Sequence, residues 1–123
     1  MKKQKLLIVD DECDIRSLCK CVVERSFDQF DIHDAKSLSE AKEMLKTLKP
    51  DIVLLDLHLN DGFGFDLIPA LKKANPDVKI LIVTAYNQCE EKRKAVDLGA
   101  FGLLGKPFRS ADLVDRINEM TSI

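Results

Sequence analysis

Lys5-Leu6-Leu7-Ile8-Val9 runs without a break into Asp10-Asp11-Glu12. A short continuous apolar run ending in polar residues is the pattern of a strand buried on both faces. Three further stretches repeat it. Asp51-Ile52-Val53-Leu54-Leu55 runs into Asp56, Lys79-Ile80-Leu81-Ile82-Val83 into Thr84, and Phe101-Gly102-Leu103-Leu104-Gly105 into Lys106-Pro107. Helix-like segments separate the runs, so the sequence implies an α/β domain with a parallel sheet covered on both sides. Ligands bind such sheets at the carboxyl ends of the strands. Asp10, Asp11, Asp56, Thr84 and Lys106 are therefore expected to converge at one edge.

The segments between the runs fit this plan. Ile15, Leu18, Cys19 and Val22 repeat at helical spacing, with Asp11 and Glu12 suited to the positive N-terminus of that helix. Phe30-Asp31-Ile32-His33-Asp34 alternates and reads as an exposed edge strand. Ser37-x-x-Glu40 is a capping box opening a helix with Leu38, Ala41, Leu45 and Leu48 on one face, stopped by Lys49-Pro50. Asn60-Asp61-Gly62 predicts a turn, followed by a helix from about Phe65 to Ala74 with Pro69 in its first turns. A fourth helix, from about Gln88 to Leu98 and capped by Gly99, has few large apolar residues and is expected to be the least firmly packed. Leu113, Val114, Ile117 and Met120 form the stripe of a last helix beginning near Ser110. The sum is one domain over residues 1–123, with five strands and five helices.

Composition narrows the function. A formal net charge of −2 and a pI near 5.7 give no electrostatic footprint for nucleic acid. The apolar stretch behind Met1-Lys2-Lys3-Gln4 is too short for a signal peptide, and no run approaches a membrane span. These features predict a soluble, cytoplasmic protein. Cys13, Cys19, Cys21 and Cys89 contain no Cys-x-x-Cys pair and read as reduced thiols used as small apolar residues.

Taken singly, each polar signal has a plain structural explanation: helix N-terminal acids, loop polarity, a helix cap, a solvated turn. Their joint placement at the same end of the core strands favours chemistry. Phosphoryl transfer to a carboxylate needs an ionised Asp in line with the donor phosphorus, hard oxygen ligands for magnesium, and a hydroxyl and a cation for the phosphoryl oxygens. Asp56 suits the nucleophile, Asp10 and Asp11 the metal, Thr84 the hydroxyl and Lys106 the cation.

Leu6-Leu7-Ile8-Val9-Asp10-Asp11-Glu12, Asp51-Ile52-Val53-Leu54-Leu55-Asp56, Thr84-Ala85 and Lys106-Pro107 resemble the motifs of the receiver domain of two-component response regulators, over essentially the whole chain. The resemblance implies a flavodoxin-like, doubly wound sheet in strand order 2-1-3-4-5. It implies that Asp56 takes a phosphoryl group from a histidine kinase or histidine phosphotransfer protein and switches an output domain or downstream protein. The chain would then catalyse only its own phosphorylation and dephosphorylation. It further implies Mg2+ held directly by Asp11, Asp56 and the main-chain carbonyl of His58, with Asp10 acting through water. Thr84 and Lys106 would contact the phosphoryl oxygens, and the Lys106-Pro107 peptide would be cis.

Four positions depart from or tune that pattern. Asn60 stands where the family often has Pro. Leu103 replaces the usual Tyr or Phe that rotates inward, so the aromatic switch is not implied. His58 and Tyr86 occupy places that tune dephosphorylation, and Tyr86 is expected to border the approach of water, either as a shield or simply as a ring packed on its loop. The last predicted helix ends about one turn before the C-terminus, and no output domain follows it. A stand-alone receiver and one cut from a longer regulator both fit.

Two other readings remain at this level. Haloacid-dehalogenase-type phosphohydrolases use a similar set, but with the nucleophile on the first strand and a second Asp two residues on, where this chain has His58 after Asp56. A pseudo-receiver that binds protein without phosphate would not need Asp56, Thr84 and Lys106 intact.

Overall fold

A computed structural model describes residues 3–85 and 89–121, with the side chain of Cys89 excluded. The elements in chain order are β1 (Gln4–Val9), α1 (Cys13–Ser26), β2 (Phe30–Ala35), α2 (Leu38–Met44), β3 (Ile52–Leu55), β4 (His58–Leu59) and β5 (Gly62–Phe63). A 3-10 turn (Gly64–Leu67) then leads into α3 (Ile68–Ala74), β6 (Lys79–Thr84), α4 (Cys89–Asp97), β7 (Gly102–Gly105) and α5 (Ser110–Thr121). Every neighbouring pair in the main sheet is parallel, and the order is β2-β1-β3-β6-β7. Since β4 and β5 form a separate small hairpin, the five long strands stand in the order 2-1-3-4-5 that the resemblance implied.

Strand alternation divides the core into two layers. Leu7, Val9, Val53, Leu55, Ile80 and Ile82 face the side covered by α2, α3 and α4. Leu6, Ile8, Ile52, Leu54, Leu81 and Val83 face α1 and α5, whose Val22, Val23, Leu113, Ile117 and Met120 close that layer. The edge strand β2 is the least buried of the long strands along its middle, as its alternation predicted.

Several boundaries differ from the sequence reading, each for a local reason. The expected helix from Phe65 begins as a 3-10 turn, because Pro69 has no N–H for the Phe65 carbonyl; the Ile68 N–H takes that carbonyl instead. Beyond Met44 the chain tightens into shorter turns before Pro50, which leaves Leu45 and Leu48 half-buried rather than on a continuing helix. On α1, Leu18 is 42 % exposed. It lies on the flank of the buried face, which uses Val23 in its place. In α4, Ala95 is the buried residue among those described, while Val96 and, just beyond the helix, Leu98 are exposed. Gly99 closes that helix with φ +90°, a conformation that favours glycine.

Of the thiols, Cys19 alone is a core residue among those described; Cys13 and Cys21 are exposed, which corrects their reading as small apolar residues. Burial pushes the Cys19 thiol up to about 11, with the Asp10 charge adding to it, so it stays protonated. No helix among the described residues is long and apolar enough to cross a membrane.

Candidate functional site

The strand ladders run one residue past the strands, and this holds the polar residues in place. The Asp10 N–H donates to the Ala35 carbonyl (3.1 Å), the Asp56 N–H to the Val9 carbonyl (2.9 Å) and the Lys106 N–H to the Thr84 carbonyl (2.8 Å). Asp10, Asp56 and Lys106 are thus each anchored by their backbone to the neighbouring strand. Asp10, Asp56 and Thr84 are buried at 2 %, 6 % and 0 % exposure, although all three are polar. Buried carboxylates need a compensating partner.

Lys106 supplies it. Its Nζ donates to Asp10 Oδ2 at 2.7 Å and to Asp56 Oδ2 at 3.3 Å, and lies 3.6 Å from Glu12 Oε1. The Lys106-Pro107 peptide is cis, as the resemblance implied. Burial and the Asp10 charge raise the Asp56 carboxyl above the usual carboxylate range, against the opposing pull of Lys106 and the His58 N–H. For Lys106 burial alone would lower the pKa. The hydrogen bond to Asp10 and the charges of Asp56 and Asp10 outweigh it, and the ammonium titrates above its ordinary value.

Carboxylate oxygens of Asp10, Asp11, Glu12 and Asp56 all lie within 4.8 Å of one another. Magnesium, which binds through one or two carboxylates and keeps several waters, suits such clustered hard oxygen donors. Their present partners differ. Asp10 also accepts the Glu12 N–H (2.9 Å), whereas Asp11, among the described residues, has no hydrogen bond or ion pair. Glu12 stands at the N-cap of α1, at the positive end of the helix as expected, but its side chain makes no cap hydrogen bond; the Glu12 N–H is satisfied by Asp10. Arg16 braces the turn, its Nη1 donating to the Asp10 carbonyl at 2.8 Å.

His58 opens the small hairpin two residues past Asp56. Its N–H is 3.4 Å from Asp56 Oδ1, and its ring packs 4.9 Å from that of Phe63. Leu103 is buried in the layer that faces α2, α3 and α4, paired in register with Ile82 on β6. Tyr86 lies outside the described residues.

Two contributors escaped the sequence reading. Gly64 lies so close under the end of β3 that a Cβ there would overlap the Asp56 carbonyl oxygen, while its N–H donates to the Leu57 carbonyl at 2.7 Å. Gly64→Ala is expected to lose about 3 kcal/mol of stability, since the clash is with backbone that cannot rotate away; chemical denaturation measures it, and an unchanged midpoint would refute the claim. Asp61 was read as a turn residue. It accepts from the Leu38 N–H (2.9 Å), the Ser39 N–H (3.0 Å) and Ser39 Oγ (2.9 Å), which holds its carboxyl below the usual range. The capping box hinted at this. Ser37 Oγ serves the Glu40 N–H alone, and Glu40 reaches back to the Lys36 N–H, leaving other helix donors to find an acceptor elsewhere.

Comparison with known proteins gives this geometry a context. A family model described as response regulator receiver domain matches residues 6–118. The response regulator protein PilR of Pseudomonas aeruginosa is 37% identical over 87% of this chain, which spans 24% of that protein. The chemotaxis protein CheY of Halobacterium salinarum is 32% identical, with 98% of each chain covered. Among solved structures, the non-phosphorylated HemR receiver domain from Leptospira biflexa superposes with a TM-score of 0.88 at 31% identity, covering 98% of this chain and 96% of that one.

Proposed function

Because the chain belongs to the response regulator receiver family, we propose that it is a phosphoacceptor in which Asp56 takes a phosphoryl group from a phosphohistidine and so changes the binding of an output domain or partner protein. Residues 1–123 are read as one such domain. The observation that carries the proposal is the position of Asp56: a buried carboxylate at the end of the central strand, beside three other acids and 3.3 Å from an ammonium.

In the proposed reaction an Asp56 oxygen forms a bond to phosphorus as the phosphorus–nitrogen bond of the donor breaks, and the departing imidazole keeps that electron pair. The raised pKa of Asp56 makes its carboxylate a more basic nucleophile. Lys106 and the Thr84 hydroxyl bind the equatorial oxygens, and the ladder bonds keep all three from drifting during transfer. Bound Mg2+ would offset the negative charge shared by the phosphoryl group and the acids. Asp11, Asp56 and the main-chain carbonyl of His58 would hold it directly, with Asp10, already tied to Lys106, acting through water. The donor is read as a histidine kinase or histidine phosphotransfer protein.

Transfer from a radiolabelled phosphohistidine protein tests the reading. Label should pass to this chain with magnesium present and should not pass after chelation; label passing equally in both would contradict it. Asp11 is expected to matter more to the metal than Asp10, because its carboxylate has no internal partner to give up. Asp11→Asn should weaken magnesium binding about tenfold or more, a step of about 1.4 kcal/mol. Titration of both single variants decides this, and equal affinities of wild type and Asp11→Asn would defeat it.

A further inference from the structure

Charge of opposite sign is concentrated at two places in the molecule. Acids crowd the carboxyl ends, whereas lysines gather at the opposite end between α2 and α3. Lys42 on α2, Lys46 and Lys49 just beyond it and Lys73 on α3 are all exposed. They line a groove of about 480 Å³ whose floor includes Leu45 and Ala70, and no acid lines it. Lys46 pairs with Glu43 at 2.9 Å; among the described residues Lys42, Lys49 and Lys73 have no ion pair. A second groove, of about 420 Å³, shares Thr47 and Lys49 and reaches Lys3 and Lys5, but Asp51 also lines it and Lys5 is paired with Asp31, so the lysine excess is that of the first groove. The chain as a whole carries −2, so this is a local excess and not general basicity.

We propose that the α2–α3 groove is a docking site for an acidic protein segment that carries an apolar side chain between its carboxylates. Lys42, Lys49 and Lys73, held near one another with no ion pair of their own among the described residues, gain from an anionic partner, and the gain is largest where the surface is concave. The apolar floor selects the rest of the partner's chemistry: a leucine-sized side chain can be buried there while flanking carboxylates meet the lysines. Lysine ammoniums are mobile point charges that suit carboxylates in no fixed geometry. A nucleic-acid duplex fits less well, because the net charge is negative and the far end of the molecule is acidic. A bilayer fits less well because the apolar atoms lie in a recess and not on a projecting face. The site is remote from Asp56 and holds whether or not Asp56 takes phosphate.

The test is a titration of the full chain with a synthetic peptide of Glu-Asp pairs separated by leucines, followed by amide NMR. Shifts should appear at the end of α2, around Lys49 and at the end of α3, and the affinity should fall with added salt. Lys49→Glu/Lys73→Glu should weaken binding about tenfold or more, and Lys49→Gln/Lys73→Gln by less. Lys20→Glu/Arg25→Glu makes the same change in net charge on exposed positions of α1 and should leave the affinity unchanged. Replacing the peptide's leucines by serine should weaken binding as well. The proposal is overturned if no shifts appear, if the α1 variant loses as much as the groove variant, or if the serine peptide binds equally. Tighter binding to anionic vesicles or to a DNA duplex than to the peptide would also overturn it.

Discussion

Asp56→Asn should take up no phosphoryl group and yet, in metal-free solution at neutral pH, should unfold at a higher temperature than the wild type. Function is lost because an amide cannot serve as the nucleophile. The gain in stability follows from the site's electrostatics: burial and the Asp10 charge hold the Asp56 pKa above its unfolded value. A carboxyl with a raised folded pKa contributes stability that is fully present below the unfolded pKa, near 3.8, and is lost as pH rises through the folded pKa. The wild type therefore carries a penalty at neutral pH that the amide does not. The difference between the two proteins should shrink as pH falls toward 3.8 and below. Thermal melts across that range measure it. A variant less stable than wild type at neutral pH would mean that Lys106 over-compensates Asp56, contrary to the direction of its shift.

Lys106→Ala should have the opposite effect on folding. It removes a cation in hydrogen-bond contact with two carboxylates that are only 3 % and 7 % exposed. Breaking a buried pair from one side typically costs about 3–5 kcal/mol, because the remaining charge keeps its desolvation penalty. Added magnesium should restore part of the loss by supplying positive charge to the same acids, and acid should restore part by protonating them. Phosphoryl uptake should persist in part, while the conformational response weakens, since Lys106 is bonded through its backbone to Thr84 and so joins the last two strands of the sheet. Amide shifts on adding beryllofluoride report that response. Shifts beyond the site that match the wild type would remove Lys106 from the relay, and an unchanged midpoint would contradict the electrostatic account.

Much of this arrangement was legible in the sequence, because a buried parallel strand writes itself as a continuous apolar run and its polar successor marks the strand end. Asp10, Asp56, Thr84 and Lys106 were found that way, and the structure brings them to one edge. What the runs do not encode is pairing at a distance. Lys106 was read as a cation for phosphate, but its tie to Asp10, 96 residues away, has no local signature. The β4–β5 hairpin has two-residue strands, too short for any periodicity to show. Asp61 looked like turn polarity because its partners on α2 lie more than 20 residues earlier. Leu18 was misplaced by one position around α1, where a polar flank and an apolar face meet. Of the lysines of the α2–α3 groove, Lys42, Lys46 and Lys49 are spaced along one stretch that reads as an ordinary solvated face, and Lys73 joins them from a segment 24 residues beyond Lys49.

The central claim, that Asp56 is the single phosphoacceptor, is tested most directly by mapping the phosphorylated chain. After incubation with acetyl phosphate and magnesium, intact mass should show one added phosphoryl group, stable in acid and labile in base, and peptide mapping should place it on Asp56. A phosphoryl group mapped to any other residue, or one retained by Asp56→Ala, would contradict the account.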